Sequence, residues 1–294
     1  MPNLTKIVNL VGKIYKASGF KEPLQPGPAK TFSNLYICQL VVVQHLKGFT
    51  DESAYLRYLK SHKFKCFPKI PTQSCYNHRA KKLEAATDCL SGHLFRKLKL
   101  HKQKIRIIDA TAVPVVKYHR RFNNKAFKNK QFFGLGYCAA KKFKYYGVKL
   151  TLIVNKEGIP LTYHIMPANR HDSQALIKIG NELYNVWLIG DKGYVGRKRK
   201  GWLKDKRKIL LITPYRKNQK QKNTRWEKRK LRNRKVVEWV NNQLKDFGEL
   251  EHLGALSYEG IHSRIRNLIF SHLVACYFNK IHHRNVLSIK EILG

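Results

Sequence analysis

A four-residue apolar run, Val186 to Ile189, is cut off by Gly190 and Asp191 inside the stretch WLIGDKGYVG, Trp187 to Gly196. A run that short, ended by glycine, reads as a buried strand. Asp191 therefore follows the carboxyl end of a buried strand, where α/β sheets gather their chemistry. An ordinary turn residue is the plainer reading of an Asp-Lys-Gly step. The surrounding charge gives the first reading its weight. Lys and Arg number 59 against 18 Asp and Glu, a formal net charge of +41, so a carboxylate at a strand end calls for a reason.

A folded chain with that charge implies a polyanionic partner, because self-repulsion of this size is tolerable only when something neutralises it. Nucleic acid is the first candidate, through phosphate contacts and counterion release. The 43% hydrophobic content, with 15 Tyr and 14 Phe, argues for a packed protein rather than a basic tail. No stretch approaches the roughly 20 apolar residues that span a bilayer, and the N-terminus carries no signal-peptide pattern. No membrane partner is expected. The cysteines at 38, 66, 75, 89, 138 and 276 form no CxxC pair and no zinc spacing, the usage of a reduced, cytoplasmic protein.

The first hundred residues read as a small all-helical domain. A helix within residues 1–22 is followed by a proline-rich break at Pro23, Pro26 and Pro28. Helical spacing resumes over Thr31 to Leu46 and Asp51 to Leu59, and Pro71-Thr72 starts a further helix. That last helix carries Asn77, Arg79, Lys81 and Lys82 on its first turns. A helix-turn-helix-like DNA-binding unit and a bundle with a solvated charged face both fit.

From Ile105 the pattern turns to strands, and residues 101–294 read as one α/β domain. IRIIDATAVPVV is a β-type run containing Asp109, and Tyr118 to Phe133 is a basic, aromatic-spotted loop. Val148–Val154 and Ile159–Ile165 pair as a hairpin across Asn155 to Gly158. Asp172 reads as the N-cap of a helix with apolar residues at 176, 179 and 183. The strand before Asp191 follows, then a basic helix and a strand at Ile209 to Thr213. The sum is a mixed sheet with helices packed on it.

Residues 197–235 hold 19 Lys or Arg among 39 positions and two acids, Asp205 and Glu227. Half of a segment being cationic reads as a surface that tracks a DNA backbone. Trp202, Tyr215 and Trp226 interleave with it, to stack on bases or to pack. After Glu227 comes a long helix with an apolar stripe, Val236, Val237, Val240, Leu244 and Phe247. Arg234, Glu238, Asn241 and Lys245 fall close to its opposite side. A surface salt bridge between Arg234 and Glu238 is the modest reading. Together with Asp109 and Asp191, Glu238 makes a set of three carboxylates. Brought together, they would need a divalent cation, and oxygen-only ligands favour Mg²⁺, with Mn²⁺ able to substitute.

These residues resemble the bacterial insertion-sequence DDE transposases, most nearly the insertion sequence 982 family. The resemblance runs from Ile105 to about Asn279. It rests on IIDATAVP around Asp109, ANRHDSQAL after the hairpin, GDKGY around Asp191 and RKVVEWVNNQLKDF around Glu238. Arg234 and Lys245 match the Arg four before and the basic residue seven after the Glu, and the acids are separated by 82 and 47 positions. Leu231 and Val195 depart from the tyrosine and the acid common at those places. The resemblance implies a ribonuclease H-like fold, with Asp109, Asp191 and Glu238 as catalytic metal ligands. It implies cleavage of double-stranded DNA at terminal inverted repeats and transfer of the 3′-hydroxyl to target DNA. A homodimer on DNA, associated with the nucleoid, follows from the same resemblance. It also makes Lys245 a phosphate contact and Arg234 an orienting group, with Lys192, Tyr194 and Asn241 as further DNA-contacting or supporting residues. A metal-dependent nuclease that never joins strands, and a non-catalytic DNA-binding relative, share most of these features.

Overall fold

The structure, a computed structural model, describes residues 2–23, 31–116, 127, 129, 131–138, 142–194, 196–215, 221–248, 250–255 and 257–293. The prolines at 26 and 28, residues 118–126 of the expected basic loop, Val195 and residues 216–220 of the cationic segment lie outside it. The chain forms two compact units, Met1–Lys99 with Gln243–Gly294, and Leu100–Asn242. Residues 243–294 thus cluster with the N-terminal helices, whereas the sequence reading placed them with the sheet.

The first unit is helical in all its described elements: α1 (Pro2–Ser18), α2 (Asn34–Leu46), α3 (Glu52–His62), α4 (Gln73–Lys81), α5 (Glu84–Lys97) and α10 (Tyr258–Ile281). Four of them start at a Ser, Thr or Asp whose side chain accepts a backbone N–H of the first turn: Ser33, Asp51, Thr72 and Ser257. That is why α2 begins at Asn34 rather than at Thr31. Helix α10 is buried almost throughout and packs against α2, α5 and α4. A helix buried on nearly every side must be surrounded, which accounts for the clustering of the C-terminal residues with the N-terminal helices.

Several buried polar side chains inside this unit find partners. Glu52 accepts from Asn77 (3.0 Å and 2.9 Å), Gln73 (3.1 Å) and Arg264 (3.0 Å). Arg266 donates to Lys81 O at 2.9 Å, at the carboxyl end of α4, where a cation also meets the helix dipole. Arg79 donates to Phe32 O (2.9 Å) and Asn34 Oδ1 (2.8 Å). Of the α4 residues that the sequence offered to DNA, Asn77 and Arg79 therefore face inward, and Lys81 and Lys82 face solvent.

The second unit holds a six-stranded mixed sheet: β1 (Ile105–Val116), β2 (Gly134–Cys138), β3 (Phe143–Val154), β4 (Pro160–Pro167), β5 (Trp187–Ile189) and β6 (Leu210–Ile212). The order is β2-β3-β1-β5-β6, with β4 also on β3. Strands β1, β5 and β6 run parallel, while β3 is antiparallel to β1, β2 and β4. Strand β2 was not foreseen. Its sequence, GLGYC, carries two glycines, which blunt a strand signal. Gly147 of β3 is needed as glycine, since a Cβ there would run into Val113 O.

Helices α6 (Ala175–Glu182) and α7 (Arg197–Arg207) cover one face of the sheet, where Leu176, Ile179 and Leu203 meet Ile108, Ile153, Leu188 and Leu211. The long helix expected after Glu227 is two, α8 (Arg225–Leu231) and α9 (Arg234–Gly248). Thr224 and Glu227 cap the start of α8 reciprocally, and Asn233 Nδ2 closes on Lys230 O at 2.9 Å to end it. Of α9, residues up to Asn242 belong to this unit. No helix among the described residues is long and apolar enough to cross a membrane, and all six cysteines are free thiols.

Replacing Glu52 by Ala leaves Arg264 and Asn77 without their acceptor, a loss of about 2 kcal/mol or more after allowing for the partial exposure of Arg264. Gly147→Ala is expected to cost about 1–3 kcal/mol through backbone displacement. Urea unfolding of each variant, monitored by circular dichroism, measures both; a loss under about 0.5 kcal/mol for either refutes its account.

Candidate active site

Strand pairing puts the first two acids side by side. Ile107 pairs with Ile189 in the parallel β1–β5 register, and two residues further along each chain come Asp109 and Asp191. Side chains alternate along a strand, so Asp109 leaves the side of the sheet opposite to Ile108 and its helical cover, and Asp191, just past β5, meets Arg234 of the helix that Asp109 also contacts. Helix α9 lies over the acid-bearing side, for Asn241 Nδ2 donates to Asp109 Oδ2 at 2.9 Å. Glu238 sits one turn before Asn241.

The guanidinium of Arg234 joins the remaining acids. Its Nη2 is 3.2 Å from Asp191 Oδ1 and 3.7 Å from Glu238 Oε1. The side chains of Asp191 and Glu238 are half exposed, at 49% and 52%. Asp109 is different. Burial pushes its carboxyl up to about 6, Glu238 adds to the rise, and the hydrogen bonds from the Ala110 backbone and Asn241, with the charge of Arg234, hold it down.

Tyr194 and Asn241 are buried beside these acids. Burial raises the Tyr194 hydroxyl well above its ordinary value, and Asp109, Asp172 and Asp191 push the same way. The nearby Thr151 hydroxyl works against that rise without closing a hydrogen bond, so Tyr194 Oη and Thr151 Oγ1 are both left without a partner. Asn241 Oδ1 is also buried and unpartnered. Tyr194 therefore backs the acids from beneath and presents no surface to DNA.

Two further pieces hold the Asp191 turn, and the sequence reading missed their place. Asp172 was expected to cap a helix; instead His171 caps the short 3₁₀ turn before α6, accepting from Ser173 N. Asp172 is bonded to Lys149 Nζ at 2.7 Å. It also stands so close to Gly193 that a Cβ there would lie 3.0 Å from its Oδ2. Ser173 accepts from Arg199 Nη1 at 2.7 Å, which ties α7 to the same loop. The HDSQ tetrad was the available signal, but nothing in its spacing said that it meets Gly193.

The other expected site residues divide. Lys192 is exposed at the Asp191 turn. Lys245 lies in the helical unit, paired with Glu251 at 3.3 Å. Exposed cations line α7 and α8, among them Lys198, Lys204, Lys206, Lys228 and Arg229. The interleaved tryptophans pack: Trp202 lies against Gly180, and Trp226 meets Trp187 edge-on at 5.2 Å with Lys230 over the Trp187 ring at 4.6 Å.

Among the described residues no three His, Cys, Asp or Glu side chains stand ready as a cation cage. Between Asp191 and Glu238 the positive charge is that of Arg234. The donors are nonetheless carboxylate and amide oxygens alone, one of them the unsatisfied Asn241 Oδ1, a set that suits a hard divalent cation.

A family model described as a transposase DDE domain matches residues 99–257, more than half of the chain. Neither the curated proteins nor the solved structures contain a match.

The Asp109 carboxyl holds its proton more tightly in the folded chain than at the unfolded value of about 3.9. Its contribution to stability is therefore full below pH about 4 and lost as pH rises through about 6. About two units correspond to about 3 kcal/mol at neutral pH. In chelator, Asp109→Asn is expected to exceed the wild type in stability at pH 8 by up to that amount and to match it near pH 4. Urea titrations at both pH values decide; a difference that does not change with pH refutes the assignment.

Proposed function

This chain belongs to the transposase DDE domain family, and on that premise we propose that it cleaves the ends of a mobile DNA element and transfers the freed 3′-hydroxyl into target DNA. DNA binding follows from the family. The finer reading is supported by one observation above all: Asp109, Asp191 and Glu238 are tied, through Asn241 and Arg234, into a single cluster just beyond the paired residues of the parallel strands β1 and β5.

The three acids would hold Mg²⁺ or Mn²⁺ through oxygen donors. When bound, such ions supply activation of the attacking oxygen and neutralisation of charge on the leaving one at phosphorus. The protein's own groups do the rest. Asn241 fixes the orientation of the Asp109 carboxylate, which is ionised at neutral pH because its pKa of about 6 lies below it. Arg234 orients Glu238 and Asp191, and shifts toward a phosphate oxygen when DNA enters. The cations of α7 and α8 grip the duplex backbone, and Lys245 takes a terminal phosphate.

The mixed sheet is of the ribonuclease H-like kind in this reading, and insertion sequence 982 transposases are the relatives it favours. The helical residues before position 100 bind the terminal inverted repeats. Two copies act together, one for each end.

With Mg²⁺, the protein is expected to nick and join DNA carrying the inverted repeats that flank its own gene. Asp191→Asn should retain binding and do neither. Hydrolysis without joining identifies a nuclease, and metal-independent binding with no chemistry from folded wild-type protein identifies a non-catalytic relative. Lys245→Ala is expected to slow end cleavage; unchanged cleavage removes its role.

A further inference from the structure

Helix α9 presents three faces near the acids. Its apolar stripe, Val237 and Val240, is buried. Its flank carries Arg234, Glu238 and Asn241 to the carboxylates of the sheet. Its outer face carries Lys235, Trp239 and Asn242, with Arg232 just before the helix, all exposed. At about 100° per residue, Trp239 lies about 130° around the axis from the buried stripe, four residues on from Lys235 and three before Asn242.

Trp239 is 59% exposed. Among the described residues no ring stacks on it and no cation stands over it, unlike Trp187 and Trp226, which pair with each other and with Lys230. An indole on the polar side of an amphipathic helix has no use in the core. It stands next in sequence to Glu238 and one turn from Lys235, with its ring open to a planar partner.

We propose that Trp239 is a stacking platform for an unpaired nucleobase next to the phosphate that meets Glu238. The location rests on the proposed function, which brings a DNA strand to the three acids. A strand leaving Glu238 across α9 first passes Asn242 and Lys235, which can hold its backbone, and then reaches the indole. Charge complementarity selects the occupant. Lys235 stands one turn before Trp239 on the same exposed face, so a phosphate chain is drawn there, and its bases are the planar groups that come with it. A base still paired inside a duplex keeps its own stacking partners and gains nothing here. The site therefore prefers single-stranded DNA, as exists at a nicked or frayed end. Base–aromatic stacking is tolerant of sequence because every base has a π-face.

The test uses the full chain, an oligothymidylate of about 15 nucleotides, an abasic strand of the same length and a duplex. Trp239→Ala is expected to weaken oligothymidylate binding about tenfold, and Trp239→Phe by less than about threefold, since a ring is retained. Binding of the abasic strand and of the duplex should be unchanged in both. Tryptophan emission of the wild type should be quenched by oligothymidylate and not by the abasic strand, and that quenching should vanish in Trp239→Phe. Unchanged oligothymidylate binding in Trp239→Ala, equal weakening on the abasic strand, or quenching that survives in Trp239→Phe overturns the proposal. So does a change of mass in sedimentation with strand binding intact, which would assign the face to a second copy. A wild-type protein that neither nicks nor joins overturns the proposed function, while the differences in strand binding would still stand.

Discussion

Carboxylates that share a site repel one another unless a cation stands among them, and in this protein the resident cation is Arg234. Its guanidinium reaches Asp191 and Glu238 from the first turn of α9. Asn241, two turns further along, reaches Asp109. One helix thus supplies both the charge and the amide that make the acid cluster tolerable, and also supplies the third acid. Without α9 the end of the β1–β5 pair would present two carboxylates with nothing to balance them. Asp109 records the strain of the arrangement. It is the buried member, and burial has raised its carboxyl to about 6 even though it has the amide and the guanidinium beside it. Stability is being spent at the place where chemistry is expected, which is the usual relation between an active site and its fold.

The helical unit solves a different problem, the burial of polar groups around α10. Glu52 gathers Asn77, Gln73 and Arg264, while Arg266 and Asn267 satisfy carbonyls at the end of α4. These contacts consume side chains that a reading of charge alone would have left for a ligand. In a chain with so many cations, a single buried acid such as Glu52 can organise several donors.

The tryptophans of the basic segment and of α9 do not all mean the same thing. Trp202 fills space over Gly180 and Trp226 closes on Trp187. Their neighbours in sequence are more basic than those of Trp239, whose nearest cation is Lys235. Packing separates them, because the first two lie where a helix crosses the sheet and the third lies on the outer face of α9.

Much of this was legible in the residues. The glycine-ended run before Asp191 marked β5, the β-type run around Asp109 and the 148–165 hairpin marked β1, β3 and β4, and Asp51 and Thr72 marked helix starts. These are local signals, set by periodicity and capping within a few residues. Strand β2 escaped because glycine carries no strand preference, and the break between α8 and α9 escaped because Asn233 bonds back to Lys230. The sequence by itself determined that three acids stand in a sea of bases, one within a strand, one just past a strand end and one on an amphipathic helix. Only the tertiary structure decided that Arg234 would bridge two of them, that Asp172 would brace Gly193, and that Trp239 would be left in water. Such pairings depend on strand register and helix rotation, which long-range packing sets and local propensity does not.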